Sequence, residues 1–534
     1  MYSSAEKNQI WLQLEKHRKE ISQKSLSELF KENPDRVDDL SISFESLWID
    51  VSRQLINSET VKLFSELVEE SKIKKFLSDM MSGDPVNSTE KKPALHTALR
   101  ASKDSKILVE GINVVPKITE TLEKMTDFSV QIRDGKLLGA TNSPIKSVVA
   151  VGIGGSHLGL SMAYKALSKF SHTDLTIKFC SSIDPIELTQ TLNGLDPETT
   201  IFVVTSKSFN TKETLLLMEN VKDWLNQSIG KTELSKHLVG VTSNKEKAIK
   251  LGIPESMVFE IPDWVGGRFS LSSAAGLVLM ISIGPKEFFQ LLSGMNKIDN
   301  RTLSEPFNSN GVLILSMIDI WNRSFLNHPT MAIIPYSSQM SDFPSYLQQL
   351  MMESLGKNSL ADGRELQGPV GSIVWGATGT ESQHAFFQFL HQGTDVVPCE
   401  MLGFAKTNDQ TTQEQKNVLF ANLIAQSEAL AFGSNHQEKN TKGKTNLEGN
   451  RPSTVILAPE LTPFILGQLI ALYEHRTVAS GLAWGINPFD QWGVELGKNL
   501  AVDFELELNR ETPSKIENYS SKKLLQKFRE FKNF

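Results

Sequence analysis

The sequence contains very little cysteine and no long apolar run. Its 534 residues include two cysteines, Cys180 and Cys399, which excludes a disulfide framework and a cysteine-based zinc module. The longest apolar stretch, around residues 274–283, is much shorter than the roughly 20 residues of a membrane-spanning helix. The first twenty residues are charged throughout and lack the apolar region of a signal peptide. These absences predict a soluble protein of a reducing compartment, and we expect a cytoplasmic location.

Positive charge is scarcer than negative charge. The chain has 55 Lys and Arg residues against 62 Asp and Glu residues, a formal net charge of -7. This balance excludes a global attraction to nucleic acid or to an anionic membrane, although a local basic pocket remains compatible with it. Hydrophobic residues make up 40% of the chain and charged residues 22%, which is enough for a packed core. At about 150 residues per domain, the length predicts three to four domain-sized units.

Apolar runs of strand type alternate with helical patterns over most of the chain. The first hundred residues have the three- and four-residue apolar spacing of helices, without strand-like alternation. From about residue 106, runs such as 147–153 are each followed by a turn and a helix, and the pattern starts again before residues 330–338. Buried strands between helices predict parallel sheets that are covered on both faces. We expect a helical N-terminal region, two open α/β domains and a C-terminal helical arm, with the boundaries 1–105, 106–290, 291–505 and 506–534.

Two turns that follow predicted strands have the composition of an anion site. Residues 152–159, GIGGSHLG, would let backbone N–H groups approach an anion at a helix N-terminus. The dinucleotide fingerprint is weakened because His157 stands where its third glycine is required, and the lysine of a P-loop is absent. Residues 205–211, TSKSFNT, place four hydroxyls and Lys207 at the end of a strand, where α/β sheets bind ligands. Together the turns suit a phosphate dianion, whereas each alone is also compatible with an ordinary turn or helix cap.

Two further segments contain candidates for acid–base chemistry. Arg268 follows Gly266 and Gly267 and could enter a crowded site, where its fixed charge would stabilise an oxyanion. Gln349 and Glu353 are four residues apart on one face of a predicted helix, so Glu353 is a candidate base. The alternatives are a surface salt bridge for the arginine and a solvated helix face for the glutamate.

Two segments nearer the C-terminus contain further candidates, namely His384, which could exchange protons with a sugar oxygen, and Lys498, whose ammonium would be confined by glycine and tryptophan. His384 follows a glycine-rich turn, and we expect it in the first turn of a helix. Gln491 and Lys498 are seven residues apart, and we expect them to share one face of a helix. A packed or solvated histidine and a snorkelling lysine are the alternatives.

In their order and separations, these motifs resemble those of the phosphoglucose isomerase family. The resemblance extends over most of the chain, through the segments LHTALR, GIGGSHLG, TSKSFNTKET, DWVGGRFS, QQLMMESLGK, QHAFFQFLHQGT and NPFDQWGVELGK. It implies two sugar isomerase (SIS) domains, each an open αβα sandwich of flavodoxin type, in a homodimer. It further implies interconversion of glucose 6-phosphate and fructose 6-phosphate through a cis-enediolate, without a metal ion or an organic cofactor.

The resemblance also implies a role for each matching residue. Glu353 would move a proton between C1 and C2, Arg268 would steady the enediolate, and His384 and Lys498 would serve ring opening. His384 would reach the active site of the neighbouring subunit. The substrate-binding residues would be Gly155, Ser156, Ser206, Lys207, Ser208, Thr211, Gln349 and Gln491. An aldose–ketose isomerase must hold a phosphate, open a ring, shuttle one proton and stabilise an oxyanion, and these residue types supply each of those needs.

The sequence departs from the usual family pattern at a few positions. Ser208 and Asn210 replace two threonines of the predicted phosphate cradle, and Leu355 replaces the asparagine two residues after the base. Ser208 keeps the hydroxyl, and we expect Asn210 to cap the following helix. No predicted proton-transfer residue is changed.

Three other functions account for part of the same pattern. A non-catalytic SIS protein that senses a sugar phosphate would need the cradle but none of Glu353, His384, Lys498 and Arg268. An isomerase of another phosphosugar, such as mannose 6-phosphate, would need the same residues, so the two are not distinguished. A nicotinamide oxidoreductase is disfavoured by His157.

Overall fold

A computed structural model describes residues 9–406, 413–434, 447–509 and 516–532. The strands of this part of the chain are β1 (Ser41–Phe44), β2 (Leu47–Asp50), β3 (Leu108–Val109), β4 (Ile112–Asn113), β5 (Ser147–Val151), β6 (Thr176–Cys180), β7 (Thr200–Thr205), β8 (Leu238–Thr242), β9 (Val258–Glu260), β10 (Thr330–Pro335), β11 (Ile373–Gly376), β12 (Cys399–Lys406) and β13 (Ser453–Glu460).

The α-helices of the same ranges are α1 (Gln9–Ile21), α2 (Leu26–Glu32), α3 (Arg36–Asp39), α4 (Ser58–Glu70), α5 (Ile73–Ser82), α6 (Val115–Arg133), α7 (Leu158–Ala166), α8 (Pro185–Leu192), α9 (Lys212–Ile229), α10 (Lys245–Lys250), α11 (Leu277–Ile283), α12 (Pro285–Ser304), α13 (Gly311–Ile320), α14 (Phe343–Leu347), α15 (Gly379–Gln383), α16 (Phe387–Gln392), α17 (Gln413–Phe432), α18 (Pro463–Ala483), α19 (Glu495–Leu508) and α20 (Tyr519–Lys532). No helix within these ranges is long and apolar enough to cross a bilayer.

The first α/β sheet is parallel and has the strand order β6-β5-β7-β8-β9. Counted from its own first strand, this is the order 2-1-3-4-5 of flavodoxin-like folds. All residues of β5, β7 and β8 are buried, as expected for strands that are covered by helices on both faces. The predicted αβα architecture is confirmed, and the order reverses between β5 and β7.

The second sheet is mixed and has the order β1-β2-β13-β12-β10-β11. Strands β10–β13 are parallel, and β2 adds to β13 in the antiparallel direction. The prediction that the first hundred residues are purely helical is therefore wrong for residues 41–50. This segment alternates, since Ile42, Phe44, Leu47 and Ile49 are buried, and a period of two is the pattern of a strand.

A layer of buried helices accompanies the sheets. All residues of α18 except the half-buried Phe464 are buried, and this helix packs against α12 and α13. Its buried arginine, Arg476, pairs with Asp319 at 2.7 Å and with Glu400 at 2.8 Å. Arg100 pairs in the same way with Asp299 of α12 and Glu474 of α18. Burying an unpaired charge is strongly unfavourable, and here each buried charge has a bonded partner that offsets this cost.

The chain divides into two compact units, residues 1–488 and residues 489–534. The second unit contains α19 and α20, in which the guanidinium of Arg529 donates a hydrogen bond to the carbonyl of Glu507. The predicted helix near the C-terminus is thus confirmed, while the four domain boundaries remain predictions. Most of the polar segment 434–451, which the sequence indicates as an exposed excursion, lies outside the described residues.

Candidate active site

Two predicted motifs follow the strands between which the first sheet reverses its order. Strands β5 and β7 are parallel neighbours, with Val151 opposite Val204, so residues 152–159 and 206–211 leave the same sheet edge side by side. Open α/β sheets bind ligands in the crevice at this point. The structure therefore brings together the two loops for which the sequence predicted one anion site.

Helix α9 begins in the second of these loops. Thr211 is its N-cap residue and makes no capping hydrogen bond with its side chain, while the Ser206 hydroxyl donates to Thr211 Oγ1 at 3.3 Å. Free N–H groups at the start of a helix carry partial positive charge and bind phosphate. Ser208 is exposed in the same loop, and Ser156 is half-buried in the neighbouring one. The hydroxyls and the helix start have the arrangement of a phosphate cradle.

The cradle loop is held by a residue that sequence reasoning missed. Phe209 has a positive φ of 49°, an uncommon conformation for a bulky residue, and its ring is fully buried in the core of the first sheet. The predicted capping role of Asn210 is wrong, because its side-chain oxygen accepts a hydrogen bond from the Lys247 ammonium. Thr211 occupies the N-cap position of α9 instead, but its side chain makes no capping hydrogen bond. The first N–H groups of the helix therefore remain available to a ligand.

Lys207 supplies the cation of the cradle. Its ammonium donates to the carbonyl of Asp263 at 2.7 Å, and its own carbonyl accepts from the Thr242 hydroxyl at 2.8 Å. Burial lowers the pKa of Lys207, as does nearby Lys92, while the charges of Glu90 and Asp263 act in the opposite direction. The ammonium is thus fixed in place and only partly solvated.

The loop with Arg268 packs directly on the glycine loop. A Cβ added to Gly155 would lie 2.5 Å from the carbonyl carbon of Gly267 and 2.9 Å from the backbone nitrogen of Arg268. These distances are shorter than real contacts, so only glycine permits this approach. The Ser270 hydroxyl also points to the carbonyl of Gly155, at 3.4 Å. The close packing places the arginine loop beside the predicted phosphate cradle.

Arg268 and Glu353 meet although 85 residues separate them in the sequence. Arg268 Nη1 lies 3.6 Å from Glu353 Oε2, with the side chains 2% and 24% exposed. Arg268 Nε donates to Ser354 Oγ at 2.6 Å, and Nη2 donates to the carbonyl of Pro488 at 2.7 Å. The predicted base and the predicted oxyanion stabiliser therefore form one cluster. Ser354, which is fully buried, is a part of it that no sequence signal indicated.

The predicted base, Glu353, lies on a π-helical segment. Residues Gln348–Glu353 form one wider turn that follows α14 and contacts α18, and such turns occur frequently at functional sites. A Cβ added to Gly154 would lie 3.4 Å from Gln349 Nε2, so Gln349 faces the glycine loop. The predicted helix is present, and it is of the π type. It places Gln349 and Glu353 beside the loops that follow β5 and β9.

The structure does not join His384 to this cluster. His384 is the C-cap of α15 rather than a residue of its first turn, so that part of the prediction is wrong. The residue is exposed, and no hydrogen bond connects its imidazole to another described side chain. The adjacent Gln383 donates to the Tyr336 hydroxyl at 3.2 Å, which anchors the helix beside the end of β10.

Gln491 and Lys498 lie in the second compact unit. Lys498 is on α19 and pairs with Glu495 at 2.9 Å, with its side chain 62% exposed. Gln491 precedes a short 3₁₀ turn, Trp492–Val494. The expectation that both residues share one helix face is wrong because that turn interrupts the helix between them.

The described residues contain no cluster of three or more His, Cys, Asp or Glu side chains that could hold a metal ion. Both cysteines are free and buried. Burial raises the pKa of Cys180 to about 11 and that of Cys399 to about 12, so both thiols are protonated near neutral pH.

Comparisons with known proteins agree with this geometry. The sequence profile described as phosphoglucose isomerase matches residues 50–525. Glucose-6-phosphate isomerase 3 of Rhodococcus jostii is 43% identical over 504 residues, which cover 92% of this chain and 92% of that protein. The glucose-6-phosphate isomerase of Deinococcus radiodurans is 40% identical over 519 residues, 96% of each chain. The crystal structure of a glucose-6-phosphate isomerase from Chlamydia trachomatis superposes with a TM-score of 0.87 at 31% identity and covers 99% of this chain and 100% of that one.

Proposed function

The chain belongs to the phosphoglucose isomerase family, and from this premise we propose which of its residues perform the family's reaction. The protein interconverts glucose 6-phosphate and fructose 6-phosphate, a step of glycolysis and gluconeogenesis. The observation that carries the residue assignment is the cluster of Arg268, Glu353 and Ser354 beside two hydroxyl-rich loops at a sheet switch point.

The phosphate binds in the crevice beyond β5 and β7. The start of α9 supplies N–H groups, and Lys207 supplies an ammonium whose position is fixed by the carbonyl of Asp263. The remaining contacts come from hydroxyls and backbone of the two loops, namely Gly155, Ser156, Ser206, Ser208 and Thr211. A dianion is stabilised here because partial and full positive charges converge on it in a partly dry site.

Glu353 is the base that moves the proton. In the open-chain aldose it takes the proton from C2, the electron pair forms the C1–C2 double bond, and negative charge develops on O1. Arg268, at 3.6 Å from this carboxylate, stabilises that charge, since a buried guanidinium is always protonated. The O2 hydroxyl proton then passes to O1, and return of the proton from Glu353 to C1 forms the C2 carbonyl of the ketose.

Ring opening and sugar positioning use the remaining residues. His384 and Lys498 exchange protons with the ring oxygen and the anomeric hydroxyl, and Gln349 and Gln491 hold the sugar. The exposed imidazole of His384, without a partner among the described side chains, supports a homodimer in which it serves the neighbouring subunit's site. We assign the protein to the cytoplasm, where its two free cysteines stay reduced.

The test is the isomerase reaction itself. Purified protein is incubated with fructose 6-phosphate, glucose 6-phosphate is measured by a coupled assay, and mannose 6-phosphate is tested alongside. The variant Glu353→Gln is expected to bind substrate but to lose at least about a hundredfold in kcat, because the general base is removed. The matched control is Glu287→Gln, whose side chain is 25% exposed, close to the 24% of Glu353. Near-normal turnover of Glu353→Gln would assign the base elsewhere.

A further inference from the structure

A pocket of about 270 Å³ lies beside the segment that carries Arg268. Its walls come from α6, from the β3–β4 hairpin and from residues 260–264 and 272–274. Ile118, Met125 and Ile261 in these walls are 7%, 0% and 4% exposed, while Ile112 at its edge is 72% exposed. An apolar cavity of about 150 Å³ admits benzene. This pocket therefore has room for a molecule of one or two aromatic rings, and an exposed apolar side chain lies at its entrance.

One polar group in the pocket wall has no partner. Ser272 is 1% exposed, and its hydroxyl makes no hydrogen bond with the part of the chain that the structure describes. The neighbouring Ser273 differs, since its hydroxyl donates to the carbonyl of Ser270 and accepts from the N–H of Ala275. A buried hydroxyl without a partner is unfavourable and uncommon. An oxygen atom on a bound molecule would satisfy it.

The charges at the entrance favour an uncharged occupant. Lys117 lies 3.3 Å from a carboxylate oxygen of Glu120 and 3.9 Å from one of Glu260, so its positive charge is already offset by carboxylates and does not attract an anionic ligand. The buried indole of Trp264 supplies an aromatic wall, against which rings pack in offset or edge-to-face geometry.

We propose that this pocket binds a neutral aromatic alcohol of one or two rings, with its ring against Trp264 and its hydroxyl hydrogen-bonded to Ser272. The pocket is separate from the crevice beyond β5 and β7. One continuous segment, residues 261–274, contributes to both places, because the pocket-lining residues lie on either side of Arg268 in the sequence. Between them, the carbonyl of Asp263 also accepts the hydrogen bond from Lys207.

Binding in the pocket consequently stabilises the segment that orders the substrate site. This second step depends on the proposed function of Lys207 and Arg268, whereas the pocket itself does not. Two ligands that stabilise one conformation of residues 261–274 tighten each other's binding by the same factor. The structure therefore assigns to the aromatic alcohol the role of a positive effector of sugar phosphate binding.

Isothermal titration calorimetry with 2-naphthol at pH 7 tests the site without requiring activity. The intact protein is expected to bind one molecule per chain. Thr121→Trp, which fills the entrance from α6, should abolish binding, and Thr119→Trp on the same helix but outside the lining should not. Ser272→Ala is expected to weaken 2-naphthol about three- to tenfold and to leave naphthalene binding unchanged. Circular dichroism confirms that each variant is folded.

Two results would overturn the site: no binding by the intact protein, or equal binding by the intact protein and Thr121→Trp. The coupling is tested separately, since saturating fructose 6-phosphate should lower the Kd of 2-naphthol at least about twofold. An unchanged Kd in a protein that turns over fructose 6-phosphate refutes the coupling. Binding of 2-naphthol by a protein without isomerase activity refutes the proposed function and leaves the pocket assignment standing.

Discussion

Ser354 connects the predicted base to the cation beside it. It follows Glu353 in the chain, is fully buried, and accepts a 2.6 Å hydrogen bond from Nε of Arg268. The bond orients the guanidinium, so that Nη1 lies 3.6 Å from the Glu353 carboxylate. Ser354 thereby positions the guanidinium that we propose to stabilise the oxyanion.

We predict that Ser354→Ala lowers kcat about tenfold with a smaller change in KM, because a hydrogen bond to a charged group contributes about 1.5–3 kcal/mol and part of it is recovered by relaxation. Ser354→Thr, which keeps the hydroxyl, should restore most of the rate. The control is Ser316→Ala, a fully buried serine whose hydroxyl donates to the carbonyl of Leu313. Steady-state kinetics of the three variants measures the effect, and equal kcat values for Ser354→Ala and the control contradict the positioning role.

The lowered pKa of Lys207 gives a prediction for pH. Burial disfavours its ammonium, so the charge is lost below the ordinary value of 10.5. The KM for fructose 6-phosphate should therefore rise in the alkaline range at a lower pH than an ordinary lysine would cause. Lys92→Met removes a neighbouring positive charge, raises the pKa of Lys207 and shifts this rise to higher pH. Lys207→Met should raise KM about tenfold and flatten the profile, and a profile that keeps its alkaline rise in this variant excludes Lys207 as its origin.

At the scale of single residues, sequence reasoning identified candidate reacting groups that the structure brings together, and it missed the residues that hold them. Arg268 and Glu353 belong to recognisable motifs, and their residue types suit their chemistry. The roles of Ser354 and Phe209 depend on burial and on a contact made across 86 residues, neither of which a local pattern contains. The expectation that Asn210 caps α9 is wrong because its side-chain oxygen is bound by Lys247. That lysine lies on another helix, so the local sequence around Asn210 does not reveal the contact.

At the scale of elements, the β1–β2 hairpin is the main feature that sequence reasoning missed. Its alternation of buried and exposed positions is short, four residues on each side of a tight turn at Glu45, where φ is 58°. The helices around it dominate the pattern of the first hundred residues. The π-helical turn at residues 348–353 was also beyond prediction, because an apolar spacing of three and four residues does not distinguish it from an α-helix.

Helix α18 gives a prediction about stability. It is buried on all sides, and Arg476 on it holds the carboxylates of Asp319 and Glu400 within 3 Å. Burial raises the pKa of Glu400, while Arg476 opposes that shift. Arg476→Met should lower the free energy of unfolding by about 3–5 kcal/mol, because two buried carboxylates lose their cation.

Denaturant unfolding at neutral pH measures this cost. The matched control is Arg364→Met, which breaks an exposed pair with Asp362 and should change stability by less than about 1 kcal/mol. The triple variant Arg476→Met, Asp319→Asn, Glu400→Gln is expected to recover part of the loss. Equal effects of Arg476→Met and Arg364→Met would show that the buried pairs contribute no more than surface ones.

At the scale of the whole molecule, the two sheets of the first compact unit divide the work. Loops of the first sheet carry the proposed phosphate cradle and Arg268, and the segment after β10 of the second sheet carries Gln349 and Glu353. The alternation of strands and helices predicted both parallel α/β units, and it predicted that the candidate ligand loops lie at one sheet edge. It did not predict that loops of the two sheets would meet, since that depends on contacts such as Arg268 with Ser354 and Gly154 with Gln349. The net charge of -7 likewise describes the surface and not the local cations of the crevice.

The exposed position of His384 makes the assembly testable. If His384 serves the neighbouring subunit's site, a dimer of one His384→Ala chain and one Glu353→Gln chain has one complete site and one site that lacks both groups. Co-expression with two affinity tags and purification over both columns isolates this heterodimer. It should show about half of the wild-type activity, whereas each variant alone is nearly inactive and a double-tagged wild-type dimer gives the reference. A site built within one chain would leave both sites of the heterodimer damaged and the sample inactive. Failure to recover any protein that carries both tags would refute the homodimer itself.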